Sequence, residues 1–213
     1  RVICALITFA AVSAAAARAD QNPTFNGPMS ASERRFVNSV QADLGARFAH
    51  ASDAEAAGYI RYTNEDDSGA ISYADRRWTS NDIRHPSQLW YDKDGDLLGA
   101  DFSVPATPGA PRPSLFGVNP GRWYEFDEHI HWVGTDPKTG KRTYDNYVMA
   151  KPFAKAGGDL DDPSADTLVK LGKVKSASSI RTIFVFPSVW DLIVWVKPNP
   201  TGAFAWKNPL VKP

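Results

Sequence analysis

The stretch I-R-T-I-F-V-F-P-S-V-W-D-L-I-V-W-V, residues 180–196, carries apolar side chains at both odd and even positions. Such a run is typical of a central strand that is covered on both faces of its sheet. Pro187 and Ser188 interrupt the run and predict either two strands or one strand with a bulged bend. Asp191 is the single carboxylate in it. Because a buried carboxylate needs a partner, we expect Arg181 to pair with Asp191.

Two pairs of strands are predicted upstream of this run. Residues 89–91 lead into Asp94-Gly95, a dipeptide typical of tight hairpin turns, and residues 98–104 return with apolar side chains at alternate positions. Residues 59–63 and 70–73 predict a second pair of short strands around a polar turn.

Helices are predicted near the N-terminus. The pattern S-A-S-E at residues 30–33 is typical of a capping box, and apolar side chains follow it at four-residue spacing. This pattern predicts an amphipathic helix over residues 31–49. Prolines make residues 105–120 a surface connection. We therefore expect a single α+β domain over residues 20–213, with N-terminal helices packed on a mostly antiparallel β-sheet of about six to eight strands.

The stretch G-R-W-Y-E-F-D-E-H-I-H-W-V, residues 121–133, alternates in the manner of a strand with one buried face. Its even positions carry the apolar side chains of Tyr124, Phe126, Ile130 and Trp132, interrupted only by Glu128. Its polar side chains at odd positions belong to Glu125, Asp127, His129 and His131. This polar face is the part of the sequence that comes nearest to a chemical site.

One hypothesis for this face is a divalent metal site. Side chains two residues apart on a strand lie about 6.6–6.8 Å apart on one face, so His129 and His131 can converge on one ion. Asp127 lies about 13 Å from His131 along a straight strand, so a third ligand must come from another element. The candidates for this third ligand are His85, His50, Asp191 and Asp101.

Zinc is the first choice of metal for imidazole and carboxylate ligands. With Asp127 or Glu125 as general base, such a site would perform metal-assisted hydrolysis. The alternative is a solvated polar face that holds no metal. Other catalytic signatures are missing from the sequence, which has no G-x-S-x-G, H-E-x-x-H, phosphate-binding or dinucleotide-binding motif.

The competing hypothesis is a binding or interaction module of the cell envelope. Aromatic residues make up 12% of the chain and predict a groove for a glycan, a peptide or a small apolar ligand, unless they mainly fill the core. The aromatic residues considered for this groove are Trp78, Trp90, Trp123, Trp195, Trp206, Tyr91 and Tyr124. The residues expected to contact a ligand are Asp127, Glu125, Trp123, Asp191 and Trp195.

Residues 1–19 have a basic start, an apolar middle and an A-R-A ending, which is typical of a signal peptide cleaved after Ala19. The alternative is a membrane anchor, but the apolar run is shorter than the roughly 20 residues that span a bilayer. We therefore expect a periplasmic or secreted protein without an integral membrane segment in the mature chain. The single cysteine, Cys4, lies in this leader, so the mature chain has no thiol or disulfide.

The charge of the chain is balanced, with 24 basic and 24 acidic residues. This balance argues against a nucleic-acid partner, since binding to nucleic acid draws on an excess of basic residues. A small molecule, a glycan or another protein remains as the expected class of partner.

Four stretches of the sequence are distinctive: G-Y-I-R-Y-T-N-E-D-D-S-G-A-I-S-Y-A from Gly58, H-P-S-Q-L-W-Y-D from His85, L-L-G-A-D-F-S-V-P from Leu97, and F-P-S-V-W-D-L-I-V-W-V-K-P-N-P-T-G-A-F-A from Phe186. Together they resemble a family of secreted bacterial proteins of unknown function. The most specific part is W-D-L-x-V-W-x-x-x-N-P-x-G-x-F-A, residues 190–205. The resemblance implies export and one compact domain, and it implies no particular activity.

Overall fold

Four α-helices and ten strands occupy the part of the chain that the computed structural model describes, residues 23–75, 81–107, 109–144 and 147–213. The predicted leader, residues 1–19, and Trp78 lie outside the described residues. All pairs of strands within the described ranges are antiparallel. The protein is an α+β domain, as the sequence predicts.

The first helix, α1 (Ala31–Arg47), begins at the predicted capping box. The Glu33 backbone N–H donates to Ser30 Oγ at 3.1 Å, and the Ser30 backbone N–H donates to the Glu33 carboxylate at 2.7 Å. The remaining helices are α2 (Ala51–Ala56), α3 (Ala150–Lys155) and α4 (Ala165–Lys170). No helix in the described ranges is long and apolar enough to cross a bilayer.

The larger of two sheets contains six strands. They are β1 (Ile60–Arg61), β2 (Ile71–Ala74), β3 (Gln88–Tyr91), β4 (Leu97–Pro105), β5 (Tyr124–Phe126) and β10 (Val189–Trp195). Their order across the sheet is β1-β2-β3-β4-β10-β5. The β3–β4 pair is the hairpin that the sequence predicts, and Gly95 in its turn has a φ of 85°.

The smaller sheet contains the four remaining strands. They are β6 (His129–Thr135), β7 (Arg142–Tyr144), β8 (Val148–Met149) and β9 (Ile180–Phe186). β6 pairs along its length with β9, and its two ends pair with β7 and β8 on the other edge. The single sheet of six to eight strands expected from the sequence is thus two sheets.

The apolar run at residues 180–196 divides at Pro187 and Ser188 into β9 and β10, as one of the two predicted alternatives has it. All seven residues of β10 are buried, in agreement with a central, doubly covered strand. β9 differs from the prediction, because it lies at an edge of the smaller sheet and none of its residues is fully buried. At Pro187 and Ser188 the chain therefore leaves the smaller sheet and enters the larger one.

The larger sheet has two different faces. One face packs against α1, where Phe36, Val40 and Leu44 join Phe102 and Leu192 in the main core. The opposite face carries polar and aromatic side chains and looks towards β6 and β9. Within the predicted connection, residues 106–107 and 109–119 are irregular in structure, although Ala106 and Val118 are buried.

The stretch 121–133 is not one strand, contrary to the prediction. β5 ends at Phe126 in the larger sheet, and β6 starts at His129 in the smaller sheet. Asp127 and Glu128 carry the chain from one sheet to the other. The alternating side chains before this crossing therefore belong to the larger sheet, and those after it belong to the smaller sheet.

Candidate ligand-binding site

A cavity of about 380 Å³ lies between the two sheets. Its floor is the face of the larger sheet opposite α1, and its wall includes β6 and the end of β9. Pockets for small ligands commonly have volumes of about 300–1,000 Å³. The cavity is therefore large enough for a small organic molecule.

Gly99 allows two tryptophans to pack closely on the floor. Gly99 pairs with Trp195 on one neighbouring strand and with Trp90 on the other. The Trp90 and Trp195 rings meet edge to face, with their centroids 5.6 Å apart. A Cβ atom on residue 99 would lie 2.7 Å from the Val194 carbonyl oxygen and 3.2 Å from the Trp90 ring. A larger residue at this position would displace the strand pairing or the Trp90 ring.

Two aspartates stand side by side in the middle of the floor. Asp101 on β4 pairs with Ile193, and Asp191 on β10 pairs with Ser103, so the two aspartates are diagonal neighbours on one face. Asp101 is 6% exposed and Asp191 is 3% exposed. Within the described residues, Oδ1 of each aspartate has no hydrogen-bond partner.

Burial raises the pKa values of both aspartates, and the charge of Asp191 adds to the change at Asp101. Burial first, and then the charge of Asp191, raises the pKa of Asp101 well above its usual range, while a hydrogen bond from Trp90 opposes the change. Burial raises the pKa of Asp191 to about 7, against a hydrogen bond from Ser103. Two neighbouring buried carboxylates titrate as a unit, so the pair retains a proton near neutral pH.

Arg181 is not the partner of Asp191, so that expectation is wrong. Arg181 lies on β9, is exposed, and donates from Nε to Thr135 Oγ1. Asp191 lies on β10, in the other sheet. Although only ten residues separate Arg181 and Asp191 in the sequence, the two side chains do not meet, because the chain passes from one sheet to the other between them.

Two histidines of β6 form part of the cavity wall. The His129 and His131 rings lie 4.9 Å apart between centroids, and Phe184 stacks on the His131 ring at 5.6 Å. Burial first, and then the neighbouring His129, lowers the pKa of His131 to about 3. His131 is thus neutral at physiological pH. Its Nδ1 is buried and has no hydrogen-bond partner in the described part of the chain.

Tyr62 connects the histidine wall to the aspartate floor. Its ring meets the His131 ring edge to face at 4.8 Å, and its hydroxyl donates to Gln88 Oε1. Burial first, and then the charges of Asp101 and Asp191, raises the pKa of Tyr62 above its ordinary value. Tyr62 therefore stays protonated and acts as a hydrogen-bond donor in the cavity.

The mouth of the cavity is aromatic and acidic. Trp206 is 50% exposed and stacks on Phe126, with their ring centroids 5.8 Å apart. The acidic loop of residues 64–68 contributes three carboxylates to the lining. Within this loop, Asp66 accepts a hydrogen bond from the Ser68 backbone N–H at 2.7 Å, which fixes the turn.

The structure brings the predicted ligands His129 and His131 together, but not His85, the first candidate for the third ligand. His129 and His131 line the cavity, whereas His85 lies on an exposed loop, where its Nδ1 is 2.7 Å from the Asp82 carboxylate. Nδ1 of His129 is 2.7 Å from the Asp127 carbonyl oxygen. Among the described residues, no group of three or more His, Cys, Asp or Glu side chains is arranged to hold a metal ion.

Three of the five predicted ligand contacts line the cavity, namely Asp127, Asp191 and Trp195. Glu125 pairs with Trp190 and so lies on the α1 side of the sheet, and the fully buried Trp123 belongs to the same core. Glu125 lies outside the cavity because the chain crosses between the sheets after β5, which turns the polar face of β5 away from the polar face of β6. Asp127 sits at the crossing itself.

Other important side chains of the cavity escaped the sequence analysis. Tyr62, Gln88 and Phe186 were not singled out, and Asp101 was considered only as a possible third metal ligand. These residues carry no spacing signal because each comes from a different part of the chain: Tyr62 follows β1, and the others lie on β3, β4 and β9. Comparisons of the chain with protein-family models, curated proteins and solved structures find no match.

Proposed function

We propose that this protein binds a small organic molecule in the cavity between its two sheets. The observation that carries the proposal is a set of three buried polar atoms that have no partner among the described residues. They are Oδ1 of Asp101, Oδ1 of Asp191 and Nδ1 of His131. All three side chains line the cavity.

The three buried polar atoms destabilise the folded chain when nothing pairs with them. A buried polar group without a hydrogen bond costs roughly 1–3 kcal/mol, and more if it is charged. Three such groups in one place weaken the fold and are retained at functional sites more often than in ordinary cores. A ligand that supplies hydrogen bonds to them would remove this cost, and its apolar part would contact the surrounding rings.

The place of action belongs to the same proposal. A signal peptide at residues 1–19 would direct the protein to the bacterial periplasm or outside the cell. The resemblance to secreted bacterial proteins supports this location. We therefore propose a ligand-binding module of the cell envelope, with a small molecule rather than a nucleic acid as its partner.

A thermal-shift panel tests the proposal. It contains neutral sugars, amino sugars, amines, carboxylic acids and short peptides, each added to the mature protein. A compound at 100 times its Kd adds about 2.7 kcal/mol to the free energy of unfolding. For a chain of this size, the melting temperature then rises by roughly 5–10 °C.

A variant that fills the cavity separates specific from nonspecific binding. Ser72 lines the cavity, whereas Ser114 is exposed on the 105–120 connection and does not. Ser72→Phe should abolish the shift, and the matched control Ser114→Phe should retain it. A panel without any shift, or a shift that survives in Ser72→Phe, would refute the proposed binding site.

A metal-dependent hydrolase is the second candidate function, supported by the two imidazole rings, 4.9 Å apart, on the lining of this cavity. In this case His129 and His131 would hold zinc or another divalent ion, with the remaining positions filled by water or substrate. Elemental mass spectrometry on untagged protein tests this function. Stoichiometric metal that disappears in the His129→Ala, His131→Ala double variant supports it, and a metal-free protein that added zinc does not stabilise refutes it.

A further inference from the structure

We infer that the ligand of this cavity is an organic primary amine, bound as its ammonium ion by the neighbouring carboxylates of Asp101 and Asp191. The inference rests on the proposed binding function and specifies the ligand class. It follows from the charge of the cavity lining, the unpartnered acceptor atoms, and the aromatic rings around them.

The charge of the cavity lining favours a cation. Six carboxylate side chains line it: Glu65, Asp66, Asp67, Asp101, Asp127 and Asp191. No lysine or arginine is present among the described lining residues. Lys207 does not line the cavity, but it pairs with one of the six carboxylates, Asp67, at 2.6 Å, which leaves five without a lysine or arginine partner on the described lining. A cleft lined by one sign of charge raises the local concentration of ligands of the opposite sign.

The free acceptors of the lining suit an ammonium group. Ionised carboxylates only accept hydrogen bonds. Oδ1 of Asp101 and Oδ1 of Asp191 are neighbouring acceptors that the described residues leave unused, and Nδ1 of His131 is a further unused atom on the same lining. A primary ammonium has three N–H donors and no acceptor. A hydroxyl group has only one donor, and a quaternary ammonium has none.

A bound cation would also compensate the repulsion between the two buried aspartates. Neighbouring buried carboxylates repel one another, and buried charges are stable in proteins only when they are paired. No cationic side chain of the described lining reaches them. An ammonium between Asp101 and Asp191 would supply that charge, and both aspartates could then ionise.

The rings around these acceptors indicate an organic substituent on the amine. Trp90 and Trp195 flank the aspartates on the floor, and Phe186 lies beside the histidine wall. Phe126 and the half-exposed Trp206 continue the apolar surface to the mouth. Aromatic rings attract ammonium ions through their faces and bury apolar groups. The cavity therefore fits a small amine with an aromatic or aliphatic body.

Three matched probes test the inference by titration calorimetry at pH 7.5. They are 2-phenylethylamine, the neutral 2-phenylethanol, and the N,N,N-trimethyl derivative of the amine. We expect the primary amine to bind about 10- to 100-fold more tightly than the alcohol, because hydrogen bonds to charged groups distinguish the two. The trimethyl derivative should bind more weakly than the primary amine, because it keeps the charge and loses all three donors.

Variants connect the amine to the two aspartates. Asp101→Asn and Asp191→Asn keep the shape of each side chain and remove its charge, and each should weaken amine binding about tenfold or more. The affinity for the alcohol should change little. Asp161→Asn, on an exposed loop, is the matched control and should bind the amine like the wild type.

Each outcome decides the inference. An alcohol that binds as tightly as the amine, an amine that does not bind, or an affinity unchanged in both aspartate variants would overturn it. The broader function can survive such a failure. If the thermal-shift panel finds a sugar or an acid whose effect disappears in Ser72→Phe, the cavity binds a ligand of another class. If the panel finds nothing, both proposals fail.

Discussion

Replacing Asp191 by asparagine should stabilise this protein at alkaline pH and not at acid pH. In the folded chain the pKa of Asp191 is raised to about 7, from the ordinary value of 3.8. Below pH 3.8 the carboxyl is protonated in both the folded and the unfolded chain. Between pH 3.8 and 7 the unfolded chain loses this proton and the folded chain keeps it, so the folded state becomes relatively less stable as pH rises.

The size of the effect follows from the pKa change. A change from 3.8 to about 7 is roughly 3 pKa units, which corresponds to about 4 kcal/mol in the free energy of unfolding when the group is fully buried. Asparagine cannot ionise, so the variant lacks this contribution. The stability difference, variant minus wild type, should rise from near zero at pH 4 to as much as about 4 kcal/mol at pH 8. Because Asp191 titrates together with Asp101, the two aspartates share this pH dependence.

Urea denaturation followed by tryptophan fluorescence at pH 4, 5, 6, 7 and 8 measures this difference. Asp161→Asn is the control, because the exposed carboxylate of Asp161 should give a difference near zero at every pH. A difference for Asp191→Asn that is independent of pH, or negative at pH 8, would refute the reasoning. The aspartate would then have a charged partner in the folded protein.

Three further variants test other parts of the fold. Glu33→Ala should cost about 3–5 kcal/mol in urea denaturation, because it leaves Arg122, 3.1 Å from Glu33 in a buried ion pair, without its counter-charge; a loss below 1 kcal/mol would contradict this. Gly99→Ala should cost about 1–3 kcal/mol through overpacking, whereas Gly45→Ala, where a Cβ meets nothing within 4 Å, should stabilise α1 by about 0.5–1 kcal/mol. Equal effects of the two glycine variants would contradict the assigned packing. For His131→Phe, the free energy of unfolding relative to the wild type should rise by up to about 5 kcal/mol as pH falls from 6.5 towards 3. The reason is that in this range the unfolded wild-type chain protonates His131 and the folded chain does not. A difference that is constant with pH would contradict the lowered pKa.

Local features of the fold were predictable from the sequence because their causes are local. The capping box at Ser30 and Glu33 starts α1, and Asp94-Gly95 lies in the turn of the β3–β4 hairpin. The apolar residues on both faces of 189–195 predicted the buried central strand β10. In each case the signal lies within a few residues, as hydrogen bonds of a cap, conformational freedom in a turn, or the side-chain period of a strand.

The candidate site was predictable only in part. The histidine pair of β6 was found because both side chains lie on one strand, two residues apart. Asp191 was found because a carboxylate is unusual in an apolar run, but its partner was wrong. The alternation in 121–133 predicts one strand and so places Glu125 at the site, but Asp127 and Glu128 carry the chain between two sheets.

By itself, the sequence determined the elements: a capped helix, a hairpin, an apolar central strand and a polar face on β6. Tertiary structure alone decided which faces meet. The pairing of β4 with β10 brings Asp101 and Asp191 together on one floor, and the second sheet places His131 above them. The physical reason is that the two-residue period of a strand determines which side chains share a face. It does not determine which strand lies alongside, in what register, or which sheet covers that face.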